Sequence, residues 1–330
     1  MQIKKVAFVA VALSLLSAGL AFPQTAQAQE IWRATVGAQS KDMGKQAIAF
    51  LPNEMWIHEG DSIIWASASA DIHTVSFLIA GQKVNPFPVG CPGYSGSGSS
   101  FDGSQCVTTP PIVKGQEFTF KFPQGGNFKL ICLVHPMMTG VIHVLGKDAT
   151  LPHNQHFYDE QAESQKRHLL DDTDGHSMGD MMSAHILPAK GVTVGMGEVT
   201  SNAGGFQSLA IDRFVHGTIE IRVGETVEWT VGGPADPHTV TFGVEPADPR
   251  PPSSNVTFDA DGGRHATLYA PGDSVHSGII GTVPENQIGV PQSPATIPVF
   301  RVTFKGPGTY NYKCALHDNL GMVGNVIVQP

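Results

Sequence analysis

Four residue types recur twice in the same order along this chain. A lone His followed by Thr-Val comes first, and much later comes Cys-x2-His with a Met close behind. In the first set these are His73, Cys132, His135 and Met138; in the second they are His238, Cys314, His317 and Met322. A thiolate and two imidazoles form a trigonal site suited to both Cu(I) and Cu(II), and a weak axial thioether tunes its potential. Three of the four donors lie on one loop between the last two strands of each set. The fourth comes from a distant strand, so the fold has to preform the site.

The axial residue of the first set is fixed by register, because Met137 and Met138 are adjacent. Met322-Val323-Gly324 leads into Asn325-Val326-Ile327-Val328, and Met138-Thr139-Gly140 leads into Val141-Ile142-His143-Val144. Met138 therefore corresponds to Met322. The first loop is Cys-x2-His-x2-Met and the second is Cys-x2-His-x4-Met, so two unequal potentials are expected.

The elements that position these residues are duplicated too. Phe50–Trp65 matches Phe214–Trp229 at a constant offset, with Gly-acid-Ser/Thr making a turn before a strand that ends in Trp. Short alternating runs such as Thr218–Val223 and Val299–Phe304, separated by Gly- and Pro-rich turns, predict an all-β sandwich. Trp65 and Trp229 are expected in the cores. The expected division is a signal peptide over 1–28, domains over 29–148 and 191–330, and a linker over 149–190. Good helix formers near 154–170 predict one helix there, with Phe157, Ala162 and Leu169 near one face.

At the ligand loops the chain resembles the cupredoxins. Cys314–Met322 with Pro237–Phe242 is similar to the plastocyanin loop and its upstream His, and Cys132–Met138 is similar to the shorter amicyanin loop. The resemblance implies two Greek-key β-sandwich cupredoxin domains joined by a helix-containing linker, with two type 1 copper ions per chain. It implies that His73 and His238 are buried equatorial ligands, Cys132 and Cys314 the thiolates, and Met138 and Met322 axial. It also implies that the ring edges of His135 and His317 reach the surface, where electrons enter or leave. Pro136 and Met137 beside one, and Leu316 and Leu320 beside the other, would then form apolar docking surfaces for transient redox partners.

Two further cysteines, Cys91 and Cys106, flank a Gly/Ser-rich loop found only in the first copy, and are expected to form a disulfide in an oxidising compartment. Lys4 and Lys5, an apolar run from Val6 to Phe22, and Ala26-Gln27-Ala28 read as a secretory signal, so a periplasmic or extracellular location is expected. No other stretch has the length of a membrane span. Without residues 1–28 the chain has eighteen basic against 29 acidic residues, a formal charge of −11. Nucleic acid is then not an expected partner, whereas a basic redox protein is compatible with the charge.

Two-domain copper oxidases and nitrite reductases need further histidines. None of the 14 His forms a His-x-His pair, and Ile131 and Lys313, not His, precede the two thiolates. An electron carrier is therefore expected rather than an enzyme. His58, His143, His216, His265 and His276 are expected to be solvated or locally hydrogen-bonded. An alternative is copper storage or resistance, carried by His153, His156, His168, His176 and His185 with Met178, Met181 and Met182 in the linker.

Overall fold

The computed structural model describes residues 29–82, 91–135, 137–171, 190–233, 236–281 and 298–330. The expected signal peptide, Pro136, and His176, Met178, Met181, Met182 and His185 lie outside the described residues. No helix among the described residues is long and apolar enough to cross a membrane.

The described chain is mostly β, as the alternation predicts. Strands Ser62–Ser67 and Thr226–Gly232 alternate strictly between buried and half-exposed positions, the two-residue period of a sheet with one face in a core. Each domain has its own five-stranded sheet. In the first, the strands run in the order Glu54–His58, Thr139–Leu145, Gly126–Ile131, Ser76–Phe77, Val107–Thr108. In the second the order is Thr218–Arg222, Val323–Gln329, Gly308–Lys313, Thr241–Phe242, Val275–His276. The two orders correspond strand for strand. Trp65 and Trp229 are fully buried, each among aromatic rings of its own domain.

The opposing sheets of the two domains are not separate. They join into one 11-stranded sheet through strands Lys45–Leu51 and Gly205–Val215. These pair antiparallel, with Ile48 opposite Ser208 and Lys45 opposite Ile211. An edge strand with unpaired backbone groups is covered in each domain by its counterpart in the other. Side chains reinforce the seam: Gln207 Nε2 donates to Phe50 O at 3.2 Å, and Asn53 Nδ2 donates to Asn202 Oδ1 at 2.7 Å.

The helix spans Gln155–Asp171, and the Asn154 side chain accepts from Phe157 N at 3.0 Å at its start. It packs on the first domain. The expected face needs one change: Leu169 is buried, but Tyr158 is the anchor and Phe157 is exposed. The Tyr158 hydroxyl accepts from Trp56 N at 2.8 Å and donates to Trp56 O at 3.1 Å, closing a strand edge that a Phe could not satisfy.

Candidate metal centres

Each centre is assembled from one anchored His and one closed loop. His73 N donates to Ile112 O at 3.0 Å and Ile112 N donates back at 2.8 Å; His238 and Ile280 make the same pair at 2.9 and 2.8 Å. The next residue addresses the thiol. Thr74 N lies 3.4 Å from Cys132 Sγ, and Thr239 N lies 3.3 Å from Cys314 Sγ. The Thr hydroxyls accept from Leu133 N at 2.8 Å and Ala315 N at 2.7 Å, fixing the residue after each Cys.

The two ligand loops close alike despite their different lengths. Cys132 N donates to Met138 O at 3.0 Å and Met138 N donates to His135 O at 2.9 Å. Cys314 N donates to Met322 O and Met322 N to His317 O, both at 3.1 Å. Met138 and Met322 are fully buried, while Met137 is half-buried. The two additional residues of the second loop are absorbed by a 3-10 turn, Asp318–Leu320, ending at Gly321 with φ 88°. That value lies in the left-handed region that glycine tolerates.

The donor spacing fits a trigonal metal. Cys132 Sγ is 3.6 Å from His135 Nδ1, Cys314 Sγ is 3.5 Å from His317 Nδ1, and the Nδ1 atoms of His238 and His317 are 3.2 Å apart. Bonds of about 2.0–2.2 Å at the centre of a triangle give edges of about 3.5–3.8 Å. Both ring nitrogens of His73 are buried without a hydrogen-bond partner, a costly state for an imidazole unless something else takes the lone pair. A thiolate, two imidazoles and a buried thioether are the donors copper prefers.

Electrostatics prepares the thiolates. Burial pushes both thiols up, but the neighbouring histidines overcome it. The side chains of His135 and His73 hold Cys132 well below the usual thiol range, and His317 and His238 bring Cys314 down to about 5. Burial lowers His238, favouring the neutral ring that can ligate a metal.

Two glycines that the sequence reading passed over shape these sites. Gly37 and Gly195 sit at irregularities in strands Ile31–Gln39 and Gly191–Asn202, with φ of 64° and 60°. A Cβ on Gly37 would come 2.5 Å from His73 Nε2, and one on Gly195 would collide with the His238 ring. The signal was available: Thr35-Val36-Gly37 and Thr193-Val194-Gly195 are the same tripeptide.

The structure corrects the expected exit route. His135 and His317 are only 1% and 3% exposed, because their Nε2 edges face the junction of the two domains. Leu320 is buried as well and Leu316 half-buried, so Leu320 does not contribute to the expected apolar docking surface. Instead, Asp71, Asp212 and Asp236 converge on the two rings. His135 Nε2 is 3.2 Å from Asp71 Oδ2 and 3.3 Å from Asp236 Oδ1. His317 Nε2 is 3.9 Å from Asp71 Oδ1. Burial raises Asp236 to about 6 and Asp212 to about 8, whereas His135 holds Asp71 below the usual carboxylate range despite its burial. Both histidines are driven well above the ordinary imidazole value against their burial, His135 chiefly by Asp71 and His317 chiefly by Asp212.

Asp71 and Asp236 were legible, since Ala-Asp-x-His-Thr-Val begins at both Ala70 and Ala235. Asp212 carried no such signal, because Ile48 occupies the matching place in the first copy. Arg213 beside it donates to Leu320 O at 2.8 Å and to Asp42 O at 2.7 Å, tying the second ligand loop to the first domain.

Residues 295–329, which include the second ligand loop, match the model of copper binding proteins of the plastocyanin/azurin family. That match spans 35 residues of this chain. Solved structures similar to it include a Cu(I) form of an amicyanin mutant at 19% identity, covering 36% of this chain and 85% of that one, with a TM-score of 0.25. Another is amicyanin from Paracoccus versutus (Thiobacillus versutus), at 18% identity, covering 35% and 81%, with a TM-score of 0.24.

Several other described histidines have structural partners. His276 lies in a short strand, buried, between the Thr241 hydroxyl at 2.7 Å and Pro249 O at 2.8 Å. His265 likewise lies in a strand, bonded to Asp259 and Thr303. His58 is buried against Ala149 O, and His143 stacks on Trp56. In the linker, His153 stacks on Phe157 and His156 pairs with Glu160 on the surface, so these two do not come together. Cys91 and Cys106 are joined in a disulfide.

Proposed function

We propose that this chain is an exported electron carrier with two type 1 copper sites, His73/Cys132/His135/Met138 and His238/Cys314/His317/Met322. The observation that carries this reading is the twofold convergence of Cys Sγ and His Nδ1 at 3.6 and 3.5 Å over identically closed loops. Copper, when bound, would supply one-electron Cu(I)/Cu(II) chemistry. The protein's part is to hold the donors fixed, so that little rearrangement accompanies a change of charge. Thr74 and Thr239 steady the thiolates, and the fully buried cores keep water out.

Because both loop histidines are buried, electrons would enter by another face. Lys313, directly before Cys314, lines an open cleft of about 780 Å³ with Tyr312, Thr241 and Val323, and offers one approach. Export is supported by the N-terminal sequence and by the Cys91–Cys106 disulfide.

Copper analysis with optical and paramagnetic spectroscopy tests the proposal. Two coppers per chain with intense thiolate-to-copper absorption and no type 2 signal are expected. Cys132→Ser and Cys314→Ser should each remove one of the two blue centres. Blue absorption surviving intact in both variants would sink the two-site reading, and a type 2 signal with turnover of nitrite or a phenol would sink the carrier reading.

A further inference from the structure

Asp71 stands between the outer edges of the two loop histidines, which belong to different domains. It turns one oxygen to each: Oδ2 is 3.2 Å from His135 Nε2, and Oδ1 is 3.9 Å from His317 Nε2. Asp236 reaches His135 from the second domain at 3.3 Å, and Asp212 completes the group beside His317. All five side chains are buried. In each centre the Nδ1 atom faces the thiolate, so an imidazole ligating through Nδ1 carries its proton on Nε2, the ring atom that lies beside these carboxylates.

We infer that Asp71 is a positioning residue that ties His135 to His317, so that the charge on one copper centre sets the reduction potential of the other. This rests on the two-copper reading above. A carboxylate facing Nε2–H makes the imidazole a stronger donor and favours Cu(II) over Cu(I). Oxidation of one centre makes its Nε2–H more acidic and draws Asp71 toward it. Less of the same negative charge is then available to the other histidine. Like charges in a buried, weakly screened junction act in the same direction. The chain thus behaves as one coupled two-electron unit, in which losing the first electron makes the second harder to remove.

The pairing in sequence supports a shared role. Asp71 and Asp236 each precede an upstream His ligand by two residues, yet both act on His135, one from its own domain and one from the other. A carboxylate that served only its own domain's packing would have no reason to meet the other domain's ligand.

Potentiometric titration followed by paramagnetic resonance tests this on the full chain. In a Cys314→Ala protein holding one copper, the first centre's Cu(II)/Cu(I) equilibrium should differ at least tenfold from its value beside an oxidised second centre. For one electron that is a shift of about 59 mV. In an Asp71→Asn background the same comparison should shrink to about threefold or less, as in a double-mutant cycle. Asp71→Asn alone should favour Cu(I) at both centres, and Asp236→Asn should do so at the first. An undiminished coupling in Asp71→Asn, or an effect confined to the first centre, would overturn the inference. So would a third metal equivalent per chain that Asp212→Asn abolishes, since the carboxylates would then be metal ligands. Failure of the two-copper reading is distinguishable, because it appears in the copper count of the unsubstituted chain before any titration.

Discussion

Gly37→Ala isolates what the first strand does for the first centre. The backbone there has φ 64°, and an added Cβ would lie 2.5 Å from His73 Nε2 and 2.8 Å from Ser69 Cβ. Ordinary contact begins at 3.4 Å, so the His73 ring would have to move by 0.9 Å, the difference between the two. Gly115→Ala is the control: its φ is 86°, but an added Cβ meets nothing within 4 Å. Both variants bear the left-handed backbone cost of about 1 kcal/mol. Only Gly37→Ala displaces a ligand, and disturbing the groups that orient a metal ligand typically costs about 10–100-fold in affinity. Copper competition titrations on both variants, with blue absorption recorded site by site, read the difference. The expected result is a 10-fold or greater weakening at the first centre in Gly37→Ala alone, with the second centre unchanged. If Gly37→Ala matched Gly115→Ala in affinity, absorption and stability, the glycine would not be what seats His73.

Two other outcomes follow from the junction. Arg213→Met removes two charged donors, to Leu320 O and Asp42 O, and should lower thermal stability by about 2–3 kcal/mol while loosening the second ligand loop; an unchanged melting temperature would count against the clamp. In copper-free protein, burial raises Asp212 far above the ordinary carboxylate range, to about 8. The folded chain then keeps a proton that the unfolded chain releases, so Asp212 makes stability fall as pH rises through that window and flattens above it. Relative to Asp212→Asn, urea unfolding between about pH 5 and pH 7 should show a loss approaching 1.4 kcal/mol per pH unit; parallel curves would refute it.

The chemistry was more legible than its setting. His73, Cys132, His135 and Met138 could be read from sequence because a copper site demands particular donor types and the loop supplies three of them in a few residues. The register argument for Met138 rests on the strand exits, and the backbone closures Cys132 N to Met138 O and Cys314 N to Met322 O are equivalent. The helix face was misjudged because periodicity cannot tell Phe157 from Tyr158 when a single hydroxyl decides by satisfying Trp56. The burial of His135 and His317 was not legible either. It depends on pairing Lys45–Leu51 with Gly205–Val215, and an edge strand's sequence does not say what covers it.

On the two-copper proposal, that seam would link copper loading to domain closure. Joining the two edge strands turns both ligand loops inward and places three carboxylates in a space without solvent. Among the described residues, the only charges drawn directly against these carboxylates are those of the two histidines, since Arg213 spends its donors on backbone carbonyls. Buried anions of this kind are tolerated only when matched by positive charge or by protons. An oxidised copper bound by one thiolate and two neutral imidazoles leaves a net positive charge behind His135 and behind His317. The metal that the loops bind would therefore also supply the countercharge the junction needs. Asp212, with Ile48 at the matching place in the first copy, makes that need unequal on the two sides. Two centres built from one duplicated plan thus differ not only in loop length but in the charge each must balance.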